Sequence, residues 1–304
     1  MRPRLPAASL ASVLLLAACG GEPPAAAGPG GAGGSGGAGG APPVALEPPD
    51  GHLKIEELYY SGSPGVDGAH YFSDQLLELV NAGDAPIAIG GLYVGDVHGL
   101  AGVINPGDQP SPYASDEAHV YLDNLWRIPG APEDVPLAPG ASFVIAQDAR
   151  NHAPFSPLDL SDADAETYNE ASNGKDEDYP TAPNLEKVHY SAGFDWLLTV
   201  FGPTVVVLRI DDPAQIEPAE GELWPLVRVP SASVIDAVEA LRDGESGAFK
   251  RLPASIEAGF VHVSGTYTGE AVHRRRDGDG RLADTDDSTA DFEVGPPAPR
   301  AGAR

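Results

Sequence analysis

The sequence predicts an all-β sandwich, and three observations predict it. Short apolar runs, among them residues 53–60, 75–81 and 204–210, are separated by Gly, Pro, Asp and Asn clusters suited to tight turns. Two neighbouring runs, residues 196–201 and 204–210, are the most continuously apolar in the folded region and are separated by Gly202-Pro203, the pattern of strands at a buried centre. Capping residues with helical spacing occur only briefly, at Ser161 and at Ser233, so one or two short helices are expected among long inserted loops.

The chain has 304 residues and is 42% hydrophobic, enough for a sizeable core. Residues 1–18 have a basic start (Arg2, Arg4) and an apolar run from Ala7 to Ala18, too short to span a bilayer comfortably, which is the layout of a secretory signal. Leu16-Ala17-Ala18-Cys19 resembles a bacterial lipobox, so Cys19 is the expected lipidation site. Two or three acyl chains there make a firm anchor where one would be marginal. Gly20, rather than Asp, follows the cysteine, and the resemblance then implies the outer membrane. Cys19 is the only cysteine, so its lipidation excludes disulfides, thiolate catalysis and cysteine metal sites. Residues 19–50 are Gly-, Pro- and Ala-rich with almost no charge, a flexible tether with an r.m.s. span of roughly 30 Å. Residues 28–33 fit G-x-G-x-x-G, but with no strand before them and no helix after them the match is compositional. The folded domain is expected over residues 51–300, with a tail at 301–304.

Within the domain, residues 53–60 change apolar face near Glu56-Glu57, which predicts a bulge. The stretch 71–96 reads as a hairpin: a strand at 75–81, a turn at 81–84, and a return at 86–94 interrupted by Gly90-Gly91. Asp74 and Glu78 read there as edge solvation. Further strands are expected at 119–126, 143–146, 223–229 and 258–265; the last should turn Phe260, His262 and Ser264 to one face and Val261 and Val263 to the other. Residues 233–241 suit a helix by capping and spacing, and a strand by their β-branched residues.

Residues 53–60, the Asp74-to-Asn81 strand and the Leu137-Ala138-Pro139-Gly140 turn into residues 143–146 resemble the lamin-tail module, an immunoglobulin-like β-sandwich of nuclear lamins and many secreted bacterial proteins. More closely, about residues 53–300 resemble an uncharacterised family of bacterial surface lipoproteins, a domain of unknown function. The matching pieces are residues 71–81, 156–160, 234–239 and 284–292. The resemblance implies an immunoglobulin-like (lamin-tail-like) sandwich and a surface location, and it carries over no catalytic residue.

The formal net charge is −27, and it becomes −29 once Arg2 and Arg4 leave with the signal. That balance excludes nucleic acid as a main partner and favours cations or a basic protein surface. No nucleophile elbow, zinc helix, P-loop or paired cysteine ligands occur, so no catalytic or cofactor-binding residue is assigned. The eight histidines, His152 among them, are scattered and read as surface or turn residues. From Asp159 to Asp178 eight acidic residues accompany one lysine, a loop that suits a divalent cation, a basic partner or plain solvation. Asp277, Asp279, Asp284 and Asp286 are Ca²⁺ candidates by ligand type, although they depart from the EF-hand spacing and fit Asp-Gly turn chemistry equally well. Together these features point to a lipid-anchored envelope protein acting as a non-catalytic binding or interaction module. Its expected partners are the membrane, through the anchor, and another envelope protein or an outer-membrane transporter. The alternatives are an extracellular hydrolase on a β-sandwich scaffold and a structural envelope protein.

Overall fold

The structure is a computed structural model, and it describes residues 45–302 except 192, 194, 197, 222 and 223. The expected signal, Cys19 and most of the tether lie outside the described residues. No helix among the described residues is long and apolar enough to cross a membrane.

Strand β1 (Leu53–Tyr59) is buried along its whole length and pairs antiparallel with β2 (Leu76–Asn81), its register shifting between Ile55 and Glu57. The bulge expected from the change of apolar face is therefore present. β3 (Ile87–Ala88), β4 (Tyr93–Val97) and β5 (His119–Arg127) follow, then β6 (Pro136–Leu137) and β7 (Ser142–Ala146). After β8 (Ala165–Glu166) and β9 (Glu186–Tyr190) come β10 (Thr204–Leu208), β11 (Glu217–Glu220), β12 (Pro225–Pro230) and β13 (Val234–Glu239). β14 (Ala271–Arg274), the one-turn helix α1 (Ser288–Asp291) and β15 (Phe292–Gly295) complete the order.

The first sheet runs β15-β14-β1-β2-β7-β8 and the second β11-β12-β5-β4-β10-β13, with β9 also on β5. Their inner faces meet in one core. Leu53, Ile55, Leu58, Leu77, Leu79, Phe143 and Ile145 come from the first sheet, and Val94, Trp126, Val205, Val207 and Val238 from the second. Each fully buried side chain of this size contributes about 1.5–3 kcal/mol. The outer faces are also covered. Ile210, Leu252 and partly buried Ile216 pack on Val206, Leu208, Val227 and Val229 of the second sheet. The long loop after β7 lays Ala149, Leu158, Leu160 and Ala182 over Tyr59, Leu76 and Val144 of the first. Strands covered twice read as continuous apolar runs, which is why Thr204–Leu208 is legible as TVVVL.

Several expectations are corrected. Residues 71–96 are not a hairpin: β2 is a central strand between β1 and β7, and the chain crosses at Gly90-Gly91 into the other sheet. Asp74 and Glu78 are accordingly buried rather than edge-solvated; Asp74 accepts from Tyr59 and Ser63, and Glu78 from the Arg300 backbone N–H. Of the helix and strand left open for residues 233–241, the strand forms, as β13 over Val234–Glu239, in keeping with the β-branched residues there. The described residues of 196–201 bury Trp196 and Leu198 and form no strand. A side-chain donor takes the ladder's place there, since Leu198 O accepts from Gln75 Nε2 at 2.7 Å. Residues 258–265 keep the expected alternation, Val261 and Val263 in and His262 and Ser264 out, yet make only a single bridge, Val261 to Ala240. Their N–H groups go instead to Thr289 Oγ1, Tyr60 Oη and Glu270 Oε2. No helix starts at Ser161, because Asp159 Oδ1 accepts both its N–H and its hydroxyl in a tight turn.

Candidate functional site

The second sheet bears an open cleft over its interior strands β4, β5 and β10. β4 supplies Asp96, β5 supplies Asp123 and Asn124, and Gly99, Ser191, Thr204 and Trp224 complete an opening of about 390 Å³. A second recess of about 540 Å³ shares Gly99, Asp123 and Trp224 with it and adds His98, Leu100 and Asp108. The two are one continuous groove. Asp96 sits on its floor, where Trp196 Nε1 donates to Oδ1 at 2.8 Å and Asn124 Nδ2 to Oδ2 at 3.2 Å. Burial, with Asp123 nearby, pushes the Asp96 carboxyl up to about 7. His98 Nδ1 lies 3.0 Å from Asp123 Oδ1. Beyond His98 the rings of Tyr113 and Tyr121 stack 4.0 Å apart, and Trp224 is 46% exposed on the rim.

Arg251 lines the same groove but offers it nothing. Its buried guanidinium donates to Gly99 O, Gly202 O, Ala240 O and Thr204 Oγ1, clamping the backbone that frames the opening. The free polar surface is therefore acidic and aromatic. A larger cleft of about 670 Å³ lies between residues 46–49 and the second sheet, but its arginines are paired, Arg127 with Glu186 and Arg209 with Asp50.

The four Ca²⁺ candidates from the sequence are not gathered into one ligand set. Asp277 Oδ1 accepts from the N–H groups of Asp279 and Arg281 in an exposed turn, and Asp284 pairs with Lys54 and Arg274. Asp286 holds a left-handed backbone, φ +54°. His152, expected at the surface, is fully buried between Tyr71 Oη, at 2.8 Å, and Asp148 O, at 3.1 Å. The acidic loop 159–178 is largely folded onto the first sheet, and one of its carboxylates, Asp176, meets Asp148 and Asp195 below the surface. Sequence reasoning missed Asp96, Asp123 and Trp224. Their only local signal is a carboxylate interrupting an apolar strand, at Asp96 in β4 and Asp123 in β5.

Fold and groove define an all-β sandwich protein with an acidic, aromatic-rimmed cleft. The chain belongs to the family described as "Protein of unknown function (DUF4876)", which matches residues 138–298, just over half of its length. It is similar to the crystal structure of a DUF4876 family protein from Bacteroides thetaiotaomicron VPI-5482 at 2.50 Å resolution. The TM-score is 0.73 and the identity 28%, over 84% of this chain and 74% of that one. No curated protein matches.

Proposed function

We propose that this protein is a lipid-anchored envelope protein acting as a non-catalytic binding module, which holds a cationic segment of a partner protein in the cleft beside Trp224. The observation that carries the reading is the placing of Trp224, 46% exposed, in one opening with Asp123. A lysine or arginine head placed over the indole face, within reach of the carboxylate, gains about 0.5–2 kcal/mol of cation–π attraction. Arg251 turns its donors to Gly99 O and Gly202 O rather than to the opening, and the net charge of −27 attracts a basic partner despite that one buried positive charge.

The location rests on the sequence: the basic start, the apolar run, Leu16-Ala17-Ala18-Cys19 and Gly20 support a cleaved signal peptide, lipidation of Cys19 and the outer membrane. A partner in that setting is another envelope protein or an outer-membrane transporter. The immunoglobulin-like, lamin-tail-like character of the sandwich belongs to the same reading, supported by residues 53–60, 74–81 and 137–146. Asp96 favours a second reading, an extracellular hydrolase, because a carboxyl pushed up to about 7 beside Asp123 suits general acid–base work at neutral pH.

Labelled lysine- and arginine-rich peptides, with neutral and acidic peptides of equal length, separate these by fluorescence anisotropy and a parallel turnover assay. Only the basic peptides are expected to bind, more weakly in salt, with Trp224→Ala at least about tenfold weaker at unchanged melting temperature. Equal binding of neutral peptides, or an indifferent Trp224→Ala, overturns the binding reading. Hydrolysis of a glycan, ester or peptide panel that Asp96→Asn abolishes replaces it with the second.

A further inference from the structure

Beneath the loops that flank the cleft, Asp148, Asp176 and Asp195 come together from three distant segments. All three are buried, and they place one carboxylate oxygen each within 4.8 Å of the others. Their positions are set by the sheet. Gln147 N donates to Gln75 O at 3.0 Å, continuing the β2–β7 ladder up to Asp148, and Thr167 N donates to Ala146 O at 3.1 Å at the head of the loop carrying Asp176. Asn169 N in turn donates to Asp176 Oδ2 at 2.7 Å.

A second, independent feature points into the same space. Gln147, 3% exposed, donates from Nε2 to Asp195 Oδ2 at 2.5 Å, and its Oε1 is buried with no partner. The remaining oxygens of Asp176 and Asp195, their Oδ1 atoms, are likewise buried and unpartnered. Native proteins leave few such acceptors without a donor. Three occur here, on two members of the cluster and on the side chain bonded to one of them. Two nearby cations offset part of the cluster's negative charge through space while bonding other groups: Arg150 donates to Tyr179 and Tyr71 and pairs with Glu177, and Lys187 bonds Asn169 and Glu170.

We propose that Asp148, Asp176 and Asp195 bind one calcium ion, with Gln147 Oε1 as a further ligand. Three carboxylates and an amide oxygen form an all-oxygen donor set, which selects a hard divalent cation over a thiophilic or imidazole-seeking one. Their irregular supply, from three separate segments and an amide, suits Ca²⁺, which tolerates irregular geometry, better than Mg²⁺, which demands an octahedron and retains water. The ion would tie the end of β7, the long acidic loop and the segment before β10 into one unit. Gly193, two residues before Asp195, lines the cleft. The inference stands apart from the binding reading, since it concerns other residues and its tests need no partner.

The test uses the detergent-solubilised full chain. As purified it is expected to carry about one calcium per chain by elemental analysis. After chelation, Ca²⁺ is expected to rebind by calorimetry and to raise the melting temperature by several degrees. Tb³⁺ bound in its place is expected to emit on excitation of the neighbouring Trp196, and Ca²⁺ to displace it. Asp176→Asn and Asp195→Asn are expected to weaken Ca²⁺ binding at least about tenfold, and Asp277→Asn to leave it unchanged. Melting in excess chelator, expected to be no lower for the Asn variants than for wild type, separates lost binding from lost folding. A chain that carries no calcium and shows no Ca²⁺-dependent heat or melting shift overturns the proposal. So does an Asp176→Asn variant with wild-type affinity. Tighter binding of Mg²⁺ than Ca²⁺ overturns the choice of ion.

Discussion

At Ile55 the β1 bulge removes an N–H and a C=O from the ladder, and two charged side chains from other strands take them up. The N–H donates to Asp236 Oδ2 at 2.6 Å, and the carbonyl accepts from Arg274 Nε at 2.8 Å. Arg274 Nη2 closes the set by donating to Asp236 Oδ2 at 2.6 Å, its guanidinium lying 4.6 Å from the Phe292 ring. Asp236 belongs to β13, so this clasp joins the two sheets through the core. Burial pushes the Asp236 carboxyl up, while Arg274 and Lys54 hold it down. Removing one member leaves an unpaired buried charge, so Arg274→Met is expected to lower the unfolding free energy by about 3–5 kcal/mol in urea denaturation. Adding Asp236→Leu should recover part of the loss, because the stranded charge is gone. The Ile55 groups, at about 1–3 kcal/mol each when unsatisfied, keep the recovery incomplete. A single-variant loss below about 1 kcal/mol, the scale of a surface pair, would refute the clasp.

The element that organises the sandwich is the crossing between β2 and β4. Gly91 turns there with φ +80°, and a Cβ on Gly90 would stand 2.1 Å from Ala131 O, so the chain passes under the segment before β6 only without side chains. Gly91→Ala is expected to cost about 1–2 kcal/mol through its left-handed backbone. Gly90→Ala is expected to cost more, since backbone must move. Thermal melts of the two variants check the order, and a Gly90→Ala protein as stable as wild type would show that the crossing tolerates a side chain. The pair was visible in the sequence as an interruption, but its direction was not. A hairpin and a crossing differ in what pairs with β2, and that depends on β7, some sixty residues further along the chain. The same limit explains the other differences. Residues 53–59, 119–127 and 204–208 bond to other strands, so their pattern reports both burial and pairing. Trp196, Leu198, Val261 and Val263 are buried without a strand ladder while side chains such as Gln75 and Tyr60 bond their backbone, and apolar spacing does not distinguish those cases.

Across the whole molecule, acidity is not confined to the surface that composition suggests. The calcium candidates chosen by motif, at 277–286, are exposed, whereas the carboxylates brought together in space come from positions 148, 176 and 195, and local spacing carries no trace of that meeting. Buried carboxylates also set how stability depends on pH. Burial, with Glu78 and Glu56 adding to it, pushes Glu57 up to about 8 against the lowering N–H of Ala298. The facing His273, 3.6 Å away, is itself held below its usual range by burial. Burial likewise pushes Glu257 up to about 7, against the N–H of Ser288. Both folded values exceed the ordinary 4.5. The stability these groups contribute is therefore fully present below about pH 4.5 and is lost as pH rises through about 7 to 8. Asp116, Asp243 and Glu270, held low by hydrogen bonds, act in the opposite sense only in the acid range and are largely exposed and screened. The melting temperature at fixed calcium and ionic strength is thus expected to fall between pH 5 and about pH 8.5. Overall acidity predicts a decline as well, since self-repulsion grows with charge, and the exposed Glu133→Gln removes one charge without removing a buried group. If burial is the cause, Glu57→Gln flattens the fall and Glu133→Gln leaves it nearly intact. Equal slopes in the two variants would assign the decline to net charge alone.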